Sequence, residues 1–174
     1  MTQWISVIGI LQQNNLRCMV CIVYAPNDHN GRLEVLNQLR LLRTSNQAPM
    51  ILMGDFNEVV CPQERRGARN TTIGMRELRQ FIQDMNMMDM EINMKFTWMR
   101  RNAASRIDRA MIDTEFVEIF PGIKAHCKDR MLSDHHPLLL ALSTIAWGSV
   151  PFRSLDYWLQ EPSFVKYLKK SGCS

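Results

Sequence analysis

A short apolar run, Met50-Ile51-Leu52-Met53, stands between Pro49 and Gly54. Unbroken apolar residues leave no polar face, so a strand of this kind must be covered on both sides. Pro and Gly bound it, as they commonly bound strands. The run therefore predicts a strand buried on both faces of a sheet. The chain has 174 residues, which suits one domain with a substantial core.

The remaining segments alternate between strand and helix patterns. The expected strands are residues 5–11, 16–24, 50–53, 96–98, 107–112, 123–127 and 137–142; the expected helices are residues 32–42, 73–85 and 115–120; residues 54–70 read as a polar loop. We expect strands 96–98 and 107–112 to pair through the basic turn Arg100-Arg101-Asn102. Strands that alternate with helices and end in strand pairs indicate an α/β fold.

The character of the sequence changes after residue 145. We expect residues 1–145 to form one domain and residues 146–174 to form a linker and an amphipathic helix that starts a connector to a following module. The N-terminus lacks the charged and apolar regions of a signal peptide, and no apolar run is long enough to span a bilayer. A nuclear or cytoplasmic protein that is not secreted is the expectation.

The five cysteines predict free thiols, because the number is odd and no secretory signal accompanies them. Cys18 and Cys21 have the spacing of a zinc knuckle. They fall within the strand expected at residues 16–24, however, and residues three apart on a strand point to opposite faces. We therefore exclude a zinc site at this pair.

Three polar motifs follow strand-like segments: Gly54-Asp55-Phe56-Asn57, Ile107-Asp108-Arg109 and Ser133-Asp134-His135-His136-Pro137. Taken singly, the first fits a turn and the last fits a polar loop. Asp108 is different, because a carboxylate in an apolar strand is costly unless it is paired, and a histidine is a suitable partner. Carboxylates, an amide and an imidazole together suit metal-assisted hydrolysis of a phosphodiester.

In this order the three motifs resemble the endonuclease/exonuclease/phosphatase superfamily, and in particular the endonuclease domain of plant LINE-type (non-LTR) retrotransposon polyproteins. The resemblance covers residues 16 to about 142, includes Phe96-Thr97-Trp98, and continues into Pro151-Phe152-Arg153 and Trp158-Leu159. It implies a partial four-layer α/β sandwich, in which two mainly antiparallel sheets pack together between helices and the early strands are missing.

The resemblance also implies roles for individual residues. Asp55 matches the aspartate that orients or deprotonates the attacking water, and Asn57 matches the amide that helps to hold it. Asp108 matches the aspartate that fixes the catalytic histidine, which is His135. The remaining matches are Tyr24 and Asn27 on the phosphate side and Asp134 on the metal side. A buried aspartate would hold the imidazole in one tautomer, ready to stabilise charge on the phosphoryl group.

The net charge of +4 is compatible with a polyanionic partner. Arginines cluster beside two of the motifs, at positions 65, 66 and 69 and at positions 100, 101, 106 and 109. Basic groups beside candidate phosphate chemistry favour DNA as the partner. Solvated loop arginines are the alternative.

The sequence departs from the family pattern before Tyr24. The family places its principal metal-binding glutamate there, whereas the first glutamate here is Glu34. We therefore expect weak binding of Mg²⁺ or Mn²⁺, weak or lost endonuclease activity, uncovered apolar surface with an unpaired sheet edge, and an aggregation-prone chain. Whether the chain is an enzyme is left open: the alternatives are a non-catalytic nucleic-acid-binding remnant and, third, a phosphatase of the same superfamily.

Overall fold

The fold is known from a computed structural model, which describes residues 3–12 and 14–142. The linker and amphipathic helix expected at residues 146–174 lie outside the described residues, as do the connector residues at positions 151–153 and 158–159. Among the described residues, no helix is both long and apolar enough to cross a membrane.

The elements follow the chain in an alternating order. The first half contains β1 (Trp4–Leu11), β2 (Leu16–Tyr24), α1 (His29–Thr44), β3 (Met50–Asp55), a 3-10 turn (Pro62–Glu64), α2 (Ile73–Asp84) and β4 (Met87–Asp89). The second half contains β5 (Trp98–Arg100), β6 (Ala103–Ser105), β7 (Asp108–Asp113), α3 (Thr114–Ile119), β8 (Ile123–Cys127) and β9 (Leu138–Leu142). The segment expected as a loop thus contains the end of β3 and the 3-10 turn.

Five strands form the main sheet in the order β1-β2-β3-β7-β4. β2 and β3 are parallel, with α1 between them in the chain, and the other neighbours are antiparallel. β5 pairs with β6, and β8 pairs with β9, in two further two-stranded sheets. This mixed arrangement of several sheets and few helices confirms the α/β fold class.

Both faces of the main sheet are covered around β3. Met50 and Leu52 pack with residues of α1 and α2 on one face, and Ile51 packs with residues of α3 and β8 on the other. The strand predicted to be buried on both faces is therefore found there. Cys18 and Cys21 belong to these two separate clusters, which confirms that they cannot share a metal ion.

The expected pairing of strands 96–98 and 107–112 is wrong. Trp98–Arg100 pairs with Ala103–Ser105 through a two-residue turn in which Arg101 has a positive φ of 51°. Asp108–Asp113 instead lies between β3 and β4 in the main sheet. All six of its residues are buried, so it requires strand neighbours on both sides and cover on both faces.

β1 has a strand neighbour on one side only among the described residues. Its apolar side chains are largely in solvent, with Ile5 70%, Val7 64% and Ile10 61% exposed. Ile5 lies directly opposite Ile22, which is 55% exposed, so the two form one apolar patch. The uncovered apolar surface and the unpaired edge expected from the sequence are both present in the described part.

Candidate active site

Three adjacent strands bring the first group of predicted site residues together. Tyr24, at the end of β2, lies opposite Asp55, at the end of β3. Asp55 in turn lies opposite Asp108, the first residue of β7. The parallel and antiparallel registers thus place a tyrosine and two aspartates in one row across the sheet. The candidate site begins at this row.

The turn after β3 explains the residue types in the Gly54–Asn57 motif. Gly54 has φ +133°, and a Cβ there would lie 2.1 Å from the carbonyl oxygen of Val23, so this position requires glycine. Asp55 Oδ1 accepts a 2.8 Å hydrogen bond from the backbone N–H of Asn57, which has a left-handed φ of 50°. Asn57 Nδ2 donates to the carbonyl oxygen of Ala25 at 2.6 Å. The amide is thereby fixed beside the carboxylate.

His135 is paired with Asp108. Its Nδ1 lies 3.0 Å from both carboxylate oxygens of Asp108, and its backbone N–H donates to Ser133 Oγ. Thr97 Oγ1 accepts from the backbone N–H groups of Ile107 at 3.1 Å and Asp108 at 2.9 Å, which fixes the start of β7. Because Nδ1 is committed to the carboxylate, Nε2 is the ring nitrogen that can meet a substrate.

Asp55 has an unusual electrostatic environment. Burial raises the pKa of its carboxyl from 3.8 to about 6; the Asn57 N–H opposes this rise, Asp108 adds to it, and His135 opposes it. Asp55, Asp108 and His135 each offer one ligand atom, and these atoms lie within 4.8 Å of one another. Two carboxylates held this close repel each other, and a divalent cation with oxygen ligands, such as Mg²⁺ or Mn²⁺, relieves that repulsion. The donor set therefore fits the expected cofactor.

A cavity of about 710 Å³ opens in front of these residues. The predicted residues that line it are Tyr24, Asn27, Asp55, Asn57, Asp134 and His135. Asp108 is not among the lining residues, but it contacts His135, which is. Tyr24 is 67% exposed, so its hydroxyl is open to a large ligand.

Asp134 lies at the cavity but is not a member of the group of close ligand atoms. Its Oδ2 accepts a 3.0 Å hydrogen bond from the indole N–H of Trp98, and its backbone oxygen accepts from Met99 N–H. The adjacent His136 turns elsewhere, with Nδ1 3.0 Å from the carbonyl oxygen of Lys128. Of the two neighbouring histidines, only His135 is paired with the predicted aspartate.

Glu58, which follows the motif directly, was not predicted as a site residue from the sequence. Only 6% of Glu58 is exposed, and it lines the same cavity with Arg32 and Arg65, with which it forms ion pairs. The available signal in the sequence was its position, a carboxylate directly after a motif that follows a predicted buried strand. Its partners lie 26 and 7 residues away in the chain, so the pairing itself has no local pattern.

A family model described as endonuclease–reverse transcriptase matches residues 18–139. No curated protein sequence matches the chain. Among solved structures, the chain is similar to the endonuclease domain of TRAS1, a telomere-specific non-LTR retrotransposon, with 14% identity and a TM-score of 0.64 over 79% of this chain and 60% of that one. The chain thus spans about 60% of the length of that domain.

Two further similar structures have the same 14% identity and a TM-score of 0.58. One is the 3′-5′ exonuclease NExo from Neisseria meningitidis, with 79% of this chain and 70% of that one covered. The other is an AP endonuclease from Archaeoglobus fulgidus, with 80% and 70% covered. At this identity the likenesses establish the fold, and the match of the family model over residues 18–139 establishes the family.

Proposed function

The chain belongs to the endonuclease–reverse transcriptase family of the endonuclease/exonuclease/phosphatase superfamily, and from this we propose that it hydrolyses phosphodiester bonds in DNA with the help of a divalent metal ion. One observation carries the proposal. His135 is held by Asp108 next to the buried Asp55, and both His135 and Asp55 line one cavity. Superfamily membership alone would also admit a phosphatase.

Each residue of the site has a chemical task under this proposal. Asp55 orients the attacking water and accepts its proton. Asn57 positions the water, and Tyr24 and Asn27 contact the phosphate. His135 Nε2 meets the phosphoryl oxygens, where charge increases in the transition state. Asp108 keeps the imidazole in one tautomer and orientation.

Asp108 and His135 are committed to each other, so Asp55 is the carboxylate of the close group that is free to hold the metal ion. Asp134, predicted on the metal side, lines the same cavity and would be the second carboxylate ligand. A bound divalent cation supplies Lewis acidity at the phosphoryl oxygens and lowers the pKa of a bound water. Mg²⁺ prefers a near-octahedral set of oxygen ligands, and these residues offer few of them. We therefore propose that metal affinity is low and activity weak.

Nicking of supercoiled plasmid in the presence of Mg²⁺ tests the proposal. The variants Asp55→Ala and His135→Ala are compared with His136→Ala, a matched control because the adjacent His136 bonds to a backbone carbonyl instead of Asp108. We expect nicking to fall by at least about a hundredfold in the first two variants, as for the loss of a general acid or base, and to persist in the control. Chelation with EDTA should abolish it.

Equal nicking by the wild type and the two site variants, from protein shown to be folded, would contradict the proposal. Retained DNA binding would then favour a non-catalytic nucleic-acid-binding protein. Hydrolysis of a small phosphate monoester without plasmid nicking would instead favour the phosphatase alternative.

A further inference from the structure

Arginines form one wall of the cavity, and their positive charge is opposite to that of the aspartates. Four of them line the cavity: Arg32, Arg65, Arg66 and Arg100. They come from α1, from the segment after the 3-10 turn and from the end of β5. We call this set the basic wall. These three segments are distant in the chain, so only the fold brings them together.

Glu58 holds two members of the basic wall. Its Oε2 accepts from Arg32 Nη2 and its Oε1 accepts from Arg65 Nη2, each at 3.2 Å. The Glu58 side chain is 7% exposed, whereas those of Arg32 and Arg65 are 16% and 36% exposed. The carboxylate lies against the first turn of α2, where a Cβ on Gly74 would be 2.2 Å from Oε2. The anchor is buried and fixed, and the guanidinium groups reach the cavity.

The segment that carries Arg65 and Arg66 is also fixed. Arg65 forms a β-bridge with Ser105, and Arg66 N–H donates to the carbonyl oxygen of Ala104 at 2.9 Å. The Arg66 guanidinium lies 5.7 Å from the centre of the Phe96 ring. These contacts order the side chains before any ligand binds, which lowers the entropic cost of binding.

The charge of the basic wall is not balanced. Glu58 supplies one negative charge for Arg32 and Arg65, and among the described residues neither Arg66 nor Arg100 has a carboxylate partner. The contrast is the buried network of Arg106 and Arg109, whose two carboxylate partners neutralise them. Within the basic wall, four guanidinium groups share one carboxylate, which is an excess of three positive charges. The other two carboxylates that line the cavity, Asp55 and Asp134, are assigned to the reaction and to the metal ion.

One phosphodiester carries one negative charge. Under the proposed function, the predicted residues on the other side of the cavity already contact the phosphate that is cleaved. The cavity, at about 710 Å³, is also much larger than a phosphate group. We propose that the basic wall, in which Glu58 holds Arg32 and Arg65, binds a second phosphate of the nucleic-acid strand. The inference rests on the proposed function and deepens it, because the substrate is then a polynucleotide and not a small phosphate ester.

The test is equilibrium binding of labelled single-stranded and duplex oligonucleotides over a range of salt concentrations, with EDTA present so that no strand is cut. A plot of log affinity against log salt has a negative slope. For Arg65→Gln we expect the magnitude of this slope to decrease by about 0.9 with duplex DNA and by about 0.7 with single strands, the value of one lost phosphate contact. Arg40→Gln is the matched control, since Arg40 also pairs with a carboxylate but is not a lining residue of the cavity. Equal slopes in the two variants would overturn the proposal.

Glu58→Gln gives a second, independent test. The substitution removes one negative charge and so makes the protein more positive by one unit. General electrostatic attraction to DNA would therefore tighten binding. If Glu58 positions the two arginines, binding instead weakens, in protein whose circular dichroism is unchanged. Tighter binding by folded Glu58→Gln would overturn the proposal.

Plasmid nicking separates this inference from the proposed function. Nicking by the wild type, with the slope of Arg65→Gln equal to that of the control, rejects the second phosphate site alone. No nicking by the wild type, with a less steep salt dependence of DNA binding in Arg65→Gln than in the control, rejects hydrolysis and supports the phosphate site.

Discussion

The buried carboxylate of Asp55 should destabilise the fold at neutral pH, and Asp55→Asn should remove that cost. Asp55 is 7% exposed, and burial, the first cause, raises its pKa to about 6. Asparagine has nearly the same shape but cannot ionise. Its Oδ1 can still accept the hydrogen bond that Asn57 N–H donates to Asp55. The variant therefore isolates the charge.

The direction in which stability changes with pH follows from proton binding. Between pH 3.8 and about 6, the folded chain holds the Asp55 proton while the unfolded chain has released it. Stability therefore falls as the pH rises through this window and stays lower above it. The difference between the two pKa values corresponds to about 3 kcal/mol. We expect Asp55→Asn to be more stable than the wild type by about half of this amount near pH 5 and by about 3 kcal/mol near pH 7.5.

Urea unfolding followed by far-UV circular dichroism, in EDTA, measures both values. Asp84→Asn is the control, because hydrogen bonds from Gln80 and Arg40 lower the pKa of the exposed Asp84 carboxyl and the variant should gain no stability. An Asp55→Asn variant that is no more stable than the wild type, or whose gain does not grow between the two pH values, would refute the reasoning. Saturating Mg²⁺ should narrow the difference, since it binds the wild-type carboxylate.

Three further predictions concern the scaffold. Arg109→Met should destabilise the fold by about 3–5 kcal/mol, because it removes a fully buried guanidinium and leaves two half-buried carboxylates short of a partner. Arg40→Met should cost at most about 1 kcal/mol at an exposed pair; urea unfolding compares the two variants, and equal losses would contradict the ranking. Gly54→Ala should destabilise by more than about 3 kcal/mol through its clash and positive φ, against about 1 kcal/mol for Gly67→Ala in open space, and the reverse order in the same assay would be contrary evidence. Val7→Lys should reduce concentration-dependent light scattering by placing a charge on the β1 edge, and unchanged scattering would mean that aggregation starts elsewhere.

The central strands could be predicted from the sequence because their burial leaves a local pattern. The expected strand at 16–24 coincides with β2 (Leu16–Tyr24), and the apolar run at 50–53 lies inside β3 (Met50–Asp55). The pairing of β5 could not be predicted in the same way, because the choice of a partner strand depends on residues far apart in the chain. The positive φ of Arg101 belongs to a tight two-residue turn, which favours the short β5–β6 hairpin over a longer connection.

In the candidate site, too, residues in local motifs could be predicted, whereas contacts between distant residues could not. Asp55, Asp108 and His135 stand in motifs that a sequence displays, and the structure places them side by side. Their roles stay predictions until the variants are measured. Glu58 and Arg32 stand in no motif, because a buried ion pair between distant residues depends on where helices pack. The acidic half of the cavity could therefore be predicted from the sequence, whereas Glu58, the anchor of its basic half, could not.

The two halves of the cavity share one support. Arg109 follows Asp108 in β7, and Glu64, the last residue of the 3-10 turn, precedes Arg65. The guanidinium of Arg109 bonds to the carboxylate of Glu64. Arg106 bonds to the same carboxylate at 2.7 Å. The aspartate that holds His135 and the arginine proposed to bind a second phosphate are thus each one residue from the same buried ion-pair network. A displacement of this network would move both halves, so a variant such as Arg109→Met that still folds should lose nicking and DNA affinity together.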